Sequence, residues 1–482
     1  MQSKGRTKLF LDNFLVYGLG GMISKFIPMI MLPIITRLYP SSEYIGLNDL
    51  SQTFISFAQA LAVCGMYDAM FRIFFDYKEL EDQKRVCSTA LGFVAGTTVV
   101  LTVVCYIFRQ SIARLYFGDV KYEPLVIITI IGFLLSSTNQ IVSAPTRIQN
   151  KRKVFLVTNT ISPVISYAIA IPLILKGYYL IAIPLAHILA VLTVEVSFIF
   201  MNKGYFGFRS FDKSKIKELL IIGLPLLPNF LIYWIYNSAD KVMIAQILGN
   251  EATGVYSVAS RIGHISNLIY TAFAGGWQYF AFSTMNDDDQ VQMKSNIYEY
   301  LGVISFAASV LLMAVSKIGF KILFPEQYLG GFIVAPYLFL SPLLLMLYQV
   351  VANQFTIVKK TYMNLLSLSL GAVVNIILNY FMIHKIGIEG ASIATITGYI
   401  ISNLMCLFWL KRMQLIVINK KVVINTAIMT VYFLLWRFAF CENYIASLLS
   451  AIAVEVVYAY MYRDRLQMIL DKIKKRGKKY GV

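Results

Sequence analysis

The sequence predicts an all-α polytopic membrane protein of about fourteen transmembrane helices, and three observations carry that expectation. Apolar residues make up 58% of the chain and charged residues only 14%, where a soluble domain carries about a quarter charged. Apolar runs long enough to cross a ~30 Å hydrocarbon layer, about 20 residues each as helix, recur along all 482 residues. The chain also repeats itself at a spacing of about 208 residues.

Helices rather than barrel strands follow because a helix closes its own backbone hydrogen bonds in a solvent that offers none. The expected spans are 13–35, 45–66, 87–108, 122–143, 154–175, 178–200, 219–239, 254–280, 297–319, 332–358, 362–383, 388–410, 422–440 and 444–462. The N-terminal "MQSKGRTKLF" has the basic flank of a signal peptide. Its following apolar run is too long, however, and lacks a small-residue cleavage site, so it reads as a retained first helix. The five cysteines, Cys64, Cys87, Cys105, Cys406 and Cys441, are odd in number and make no CxxC, which predicts free thiols without a disulfide or metal framework.

A net charge of +18 invites a nucleic-acid reading until its placement is considered. With the N-terminus inside, 31 of the 43 Lys and Arg residues fall in inner segments and 10 at the outer side, counting Lys317 and Arg437 near the outer ends of their spans, which leaves Lys25 and Arg261 deeper within helices. That asymmetry is the positive-inside pattern, with both termini cytoplasmic. The basicity therefore records orientation, and no nucleic-acid partner is expected. The basic tail "DKIKKRGKKYGV" fits the same pattern, or a loose attraction to anionic lipid heads.

The repeat organises the rest. "SSEYIGLNDLSQTFI" aligns with "GNEATGVYSVASRIG", so Glu43 matches Glu251 and Gly46 matches Gly254. At a spacing of 209, Lys151 meets Lys360, Lys176 meets Lys385 and Ala182 meets Ala391. Two six-helix lobes follow, 1–200 and 219–410, joined by a basic cytoplasmic linker at 201–218 and followed by two further helices and a tail at 411–482. Six is even, so both lobes enter from one side, a parallel repeat about an axis along the membrane normal.

Arg261 stands in an otherwise apolar span with Ser257, His264, Asn267 and Thr271 at helical steps of three and four, which puts them on one face. Subtracting 208 reaches Asp49, Thr53, Ser56 and Gln59 on the second helix, where Asn48 and Gln52 widen the polar stripe. The seventh span offers Asn229, Tyr233, Asn237 and Asp240, and Tyr233 matches Lys25 of the first. A charge at mid-membrane costs roughly 2.5–3.5 kcal/mol even on the mildest scale. Arg261 and Lys25 therefore have two readings: a permanent ion pair with an acid, Asp49 being the obvious partner, or the lining of a wet cavity that attracts an anion. A planar guanidinium fork and a mobile ammonium suit a diphosphate.

Outside the stripe, Glu195, His187 and Glu455 are buried-group candidates, with Glu195 and Asp240 the possible ion-coupling carboxyls. Arg147, Lys151, Arg152 and Lys153, mirrored by Lys359 and Lys360, form an inner-mouth cluster that orientation alone explains or that gathers phosphorylated lipid at an entrance. No nucleotide loop, metal-ligand cluster or nucleophile triad is present, so no cofactor, no metal and no catalytic residue is expected.

The block "DKVMIAQILGNEATGVYSVASRI", the block "KIGIEGASIATITGYIISNLM" and the two-lobe plan resemble the polysaccharide-transport flippases, the O-antigen and capsule type, of the multidrug/oligosaccharidyl-lipid/polysaccharide exporter superfamily. The resemblance covers essentially the whole chain. It implies alternating access around a cationic central cavity in a bacterial cytoplasmic membrane. The cargo it implies is an undecaprenyl-diphosphate-linked oligosaccharide carried from inner to outer leaflet by a monomer, with polysaccharide polymerase and chain-length proteins as partners. Lipid II flippases look similar in placing basic residues on the first and eighth helices, where Lys25 and Arg261 stand.

Two rivals remain. Multidrug exporters of the same superfamily need a net acidic cavity, whereas here Lys25 and Arg261 oppose Asp49 and Asp240. A membrane polymerase or glycosyltransferase needs acid and base groups near one face and a sizeable outer loop. The two longest outer segments, 109–121 and 240–253, have only 13 and 14 residues and three acids between them, Asp119, Asp240 and Glu251.

Overall fold

The computed structural model describes residues 26–149, 151–465 and 467–468, and every regular element among them is helical. Ten helices are long and apolar enough to cross a bilayer, or eleven when the bent pair Glu43–Val63 and Met66–Phe74 counts as one span. The protein is a multi-pass membrane protein. The fourteen-span reading exceeds this count at three places. Its first span lies largely outside the described residues, leaving Phe26–Leu38; 154–175 leaves the shorter apolar helix Thr160–Leu175; and 254–280 is not one helix. It divides into Asn250–Gly263, a 3₁₀ turn His264–Ser266 and Asn267–Ser283.

The bend of 47° after Val63 has a local cause. Cys64 and Gly65 both take positive φ, 49° and 72°, and a Cβ on Gly65 would come within 2.2 Å of the Gly223 carbonyl. Only glycine fits that contact in that conformation.

The Gly331–Ile357 helix is buried along nearly its whole length and packs against Asn250–Gly263, Gln290–Leu323 and Ile388–Arg412. Helices around it are two-sided. Leu80–Ile107 buries Val86, Ala90 and Val94 but exposes Val99, Val100, Val103 and Val104. So contiguous an apolar exterior is stable only against lipid.

Two repeat-related helices cross where their glycines match. A Cβ on Gly46 would meet the Asn250 carbonyl oxygen at 2.2 Å and Gly254 N at 2.8 Å, and one on Gly254 would meet the Ser42 carbonyl oxygen at 1.9 Å. The Ser42 hydroxyl donates to the Glu251 carbonyl at 3.1 Å across the same contact. The absence of side chains at both positions lets the backbones of Glu43–Val63 and Asn250–Gly263 touch.

The last two helices, Lys420–Leu435 with its π-helical extension Trp436–Phe440 and Tyr444–Met461, are held at both ends. Arg437 grips Glu389 with Nε to Oε1 at 2.5 Å and Nη2 to Oε2 at 2.8 Å, and Lys317 pairs with Glu442. Glu299 accepts from Asn419 at 2.8 Å and from Tyr462 at 3.1 Å.

Candidate functional site: a cavity walled by two cations

Asp49 sits on the buried face of Glu43–Val63 where that helix meets Asn250–Gly263. One of its oxygens, Oδ2, lies 2.7 Å from Lys241 Nζ and accepts from the Ser257 hydroxyl at 2.9 Å. The other, Oδ1, accepts from Arg261 Nη2 at 3.2 Å. One carboxylate thus holds two cations. In a low-dielectric interior an unpaired buried charge is far costlier than a paired one, so the triad explains how Lys241 and Arg261 are tolerated.

Both cations also face open space. A cavity of about 560 Å³ is lined by Lys241, Arg261, His264, Asn267 and Gln52, by His187, Ser162, Ser166 and Tyr167, and by apolar residues including Met29, Leu32 and Ile265. Asp49 does not line it. Its side chain is 10% exposed against 37% for Arg261 and 15% for Lys241, so the carboxylate lies behind the cations and the wall presents the positive ends. The His264 ring is tied to Ser260, Nδ1 to Oγ at 3.1 Å. The remaining wall supplies hydroxyls and amides, neutral groups that hydrogen-bond polar ligands.

The predicted stripe arrives in part. Arg261, His264, Asn267 and Gln52 line the cavity, and Asp49 stands just behind it. Gln59 turns instead to a neighbouring helix, donating to Ser136 Oγ at 2.7 Å. Tyr233, Asn237 and Asp240 are not among the lining residues: Asn237 donates to the Tyr233 carbonyl at 2.6 Å, and Asp240 is buried with Tyr256 as its hydroxyl donor. Glu195 is buried away from the lining, accepting from Thr138, and its Oε2 has no partner among the described residues. Arg147 lies on Tyr67, its Nη1 2.7 Å from the hydroxyl, while Lys151 and Lys360 are exposed at helix starts. Lys25 lies outside the described residues.

Lys241 is the functional candidate that periodicity misses, and the reason is a π turn. The seventh span runs as Leu227–Trp234, a π-helical segment Ile235–Ala239 and then Asp240–Leu248. A π turn takes about one extra residue, so a strict 3.6-residue count carried from Tyr233 reaches Asp240 where the chain presents Lys241. His187 reaches the cavity from a helix with no polar stripe to announce it, whereas Tyr167 stands beside Ser162 and Ser166, a short polar face of its own helix. All five cysteines are free. No group of three or more His, Cys, Asp or Glu side chains able to hold a metal occurs among the described residues.

A family model described as "Polysaccharide biosynthesis protein" matches residues 34–332. No curated protein matches the sequence. Among solved structures the chain is similar to the lipid II flippase MurJ in an inward closed conformation, at 16% identity and TM-score 0.71, covering 94% of this chain and 100% of that one. It is similar also to an inward-facing multidrug resistance MATE family transporter of the MOP superfamily, at 15% identity and TM-score 0.64, covering 82% and 98%. A mutant of the Vibrio cholerae MATE transporter VcmN shares 12% identity at TM-score 0.59, covering 86% and 98%. At these identities the likeness is one of fold, shared here with a flippase and two transporters. The matched span exceeds half the chain and establishes that the protein belongs to the polysaccharide biosynthesis protein family.

Proposed function

We propose that this protein is a flippase for undecaprenyl-diphosphate-linked oligosaccharide repeat units. It moves them from the inner to the outer leaflet of a bacterial cytoplasmic membrane, for O-antigen, capsule or another surface polysaccharide. The observation that carries this reading is the cavity wall, where Lys241 and Arg261 reach the space and the single carboxylate that holds them stands behind. A diphosphate entering there meets a guanidinium fork and an ammonium, the pair suited to its oxygens. Gln52, Asn267, His264 and the Ser162 and Ser166 hydroxyls supply hydrogen bonds for sugar or phosphate.

In this reading fourteen spans form two six-helix lobes, 1–200 and 219–410, joined at 201–218 and followed by the last two helices, with both termini cytoplasmic. Lys25 adds a further cation from the first helix. Arg147, Lys151 and Lys360 collect the headgroup at the inner mouth, and the undecaprenyl tail stays in lipid while the lobes rock around the fixed site as a monomer. Polymerase and chain-length proteins then take the delivered unit.

The test is transport by the purified protein in proteoliposomes. Lipid-linked oligosaccharide loaded on one side should become accessible to a glycosidase added on the other, while a cationic dye should not be moved. Dye movement without oligosaccharide movement would instead support the multidrug-exporter reading. In cells, Arg261→Ala should stop surface polysaccharide at unchanged protein level, and Arg261→Lys should keep part of it.

A further inference from the structure

A second feature lies at the junction between the lobes. Lys213, Ile216, Lys217, Leu220, Ile221 and Leu224 line a groove of about 800 Å³. Their spacing of three and four residues makes them one stripe of the helix that begins at Lys213 and leads into the seventh span. The stripe is divided by chemistry. Lys213 and Lys217 are exposed at its start and form no ion pair among the described residues, whereas Ile221 and Leu224 are 65% and 52% exposed further along. Lys215, between the two lysines, turns to the other side and pairs with Glu218 at 3.1 Å. The acid next to Lys213, Asp212, spends its carboxylate on capping the helix, accepting from Ser214 N at 2.9 Å and Ser214 Oγ at 2.7 Å.

Two open cations above an exposed apolar track match one kind of molecule. From Lys213 to Leu224 is eleven residues, about 17 Å of helix, close to one leaflet of a ~30 Å hydrocarbon core. The linker adds Phe208, whose ring is wholly exposed, beside exposed Arg209. An uncovered apolar ring beside a basic side chain suits the interfacial region, where apolar groups dip into lipid and cations meet anionic heads.

We infer that this groove is a binding site for an anionic glycerophospholipid of the cytoplasmic leaflet, its phosphate between Lys213 and Lys217 and an acyl chain along Ile216, Leu220, Ile221 and Leu224. The side of the membrane rests on the topology proposed above; the site itself is independent of the transported substrate. Its position gives it a role: a lipid seated here touches the segment connecting the two lobes.

The experiment is native mass spectrometry of the full-length protein in detergent titrated with phosphatidylglycerol or phosphatidylcholine. Wild-type protein should retain phosphatidylglycerol in preference to phosphatidylcholine. Lys213→Gln and Lys217→Gln should each weaken the phosphatidylglycerol affinity roughly fivefold, and Lys213→Arg with Lys217→Arg should restore it. Leu220→Asn should weaken binding of a phosphatidylglycerol with full acyl chains while leaving its head-group preference. Equal retention of the two lipids by wild type, or unchanged phosphatidylglycerol affinity in the double Gln variant, would overturn the site. Neither result touches oligosaccharide transport, so this proposal and the proposed function fail separately.

Discussion

Asp49 and Ser257 stand 208 residues apart, the spacing of the sequence repeat, and hydrogen-bond to each other at 2.9 Å. Gly46 and Gly254, also 208 apart, touch one turn earlier along the same two helices. The cation-bearing triad is therefore built on the seam between Glu43–Val63 and Asn250–Gly263, where one carboxylate faces a hydroxyl and two cations.

The seam depends on backbone contact. Gly46→Ala and Gly254→Ala each place a methyl group where a carbonyl oxygen already lies, within 2.2 Å and 1.9 Å. Each should destabilise the protein by about 1–3 kcal/mol through overpacking. Gly96→Ala, whose Cβ would meet nothing within 4 Å, should be neutral or slightly stabilising. Thermal unfolding in detergent compares the three, and a seam variant as stable as wild type would refute the contact.

The two cations do not share Asp49 equally. Lys241 is nearer, at 2.7 Å against 3.2 Å, and less exposed. Double-mutant cycles pairing Asp49→Asn with Lys241→Gln and with Arg261→Gln should give a coupling of about 1–3 kcal/mol for lysine and below about 1 kcal/mol for arginine, the more solvent-screened pair. Equal or reversed couplings would contradict this geometry.

The π turn at Ile235–Ala239 sets which side chain enters the cavity. In a background freed of its five native cysteines, Lys241→Cys should react with a charged, membrane-impermeant thiol reagent admitted to the cavity, and Asp240→Cys should stay protected. Reversed labelling would mean that the segment is regular α-helix there.

The final two helices are clipped by a bidentate ion pair. Arg437→Ala leaves Glu389 with Tyr337, at 3.2 Å, as its one side-chain donor among the described residues, and should cost about 1–3 kcal/mol; Arg437→Lys should recover only part, lacking the second prong. Unfolding midpoints of the two variants make the comparison.

The fold was legible because its signals are long and redundant: apolar runs of membrane-spanning length and a repeat that aligned Gly46 with Gly254. Arg261, His264 and Asn267 were legible as a stripe because a polar face in an apolar span is conspicuous. Their lining survives the 3₁₀ turn at His264–Ser266. Lys241 was hidden twice. It falls at the edge of an apolar run, where it counts as an outer-loop charge, and the π turn rotates it into the place that regular spacing assigns to Asp240. His187 has no polar partner at helical spacing on its own helix, and Ser162 with Ser166 beside Tyr167 is too short a polar face to stand out in an apolar span, so tertiary packing reveals both. Gln59 lies on the predicted stripe, yet the hydroxyl of Ser136 on a neighbouring helix claims it, a competition invisible along one helix.

The most direct measurement is the affinity of the purified protein for undecaprenyl diphosphate beside undecaprenyl monophosphate, in wild type and in the Lys241→Gln/Arg261→Gln variant. Wild type should prefer the diphosphate by at least tenfold, about 1.4 kcal/mol, and the variant should lose that preference while remaining folded. A folded variant that keeps the preference would mean that the two cations serve only to hold Asp49, and that the head group is bound elsewhere.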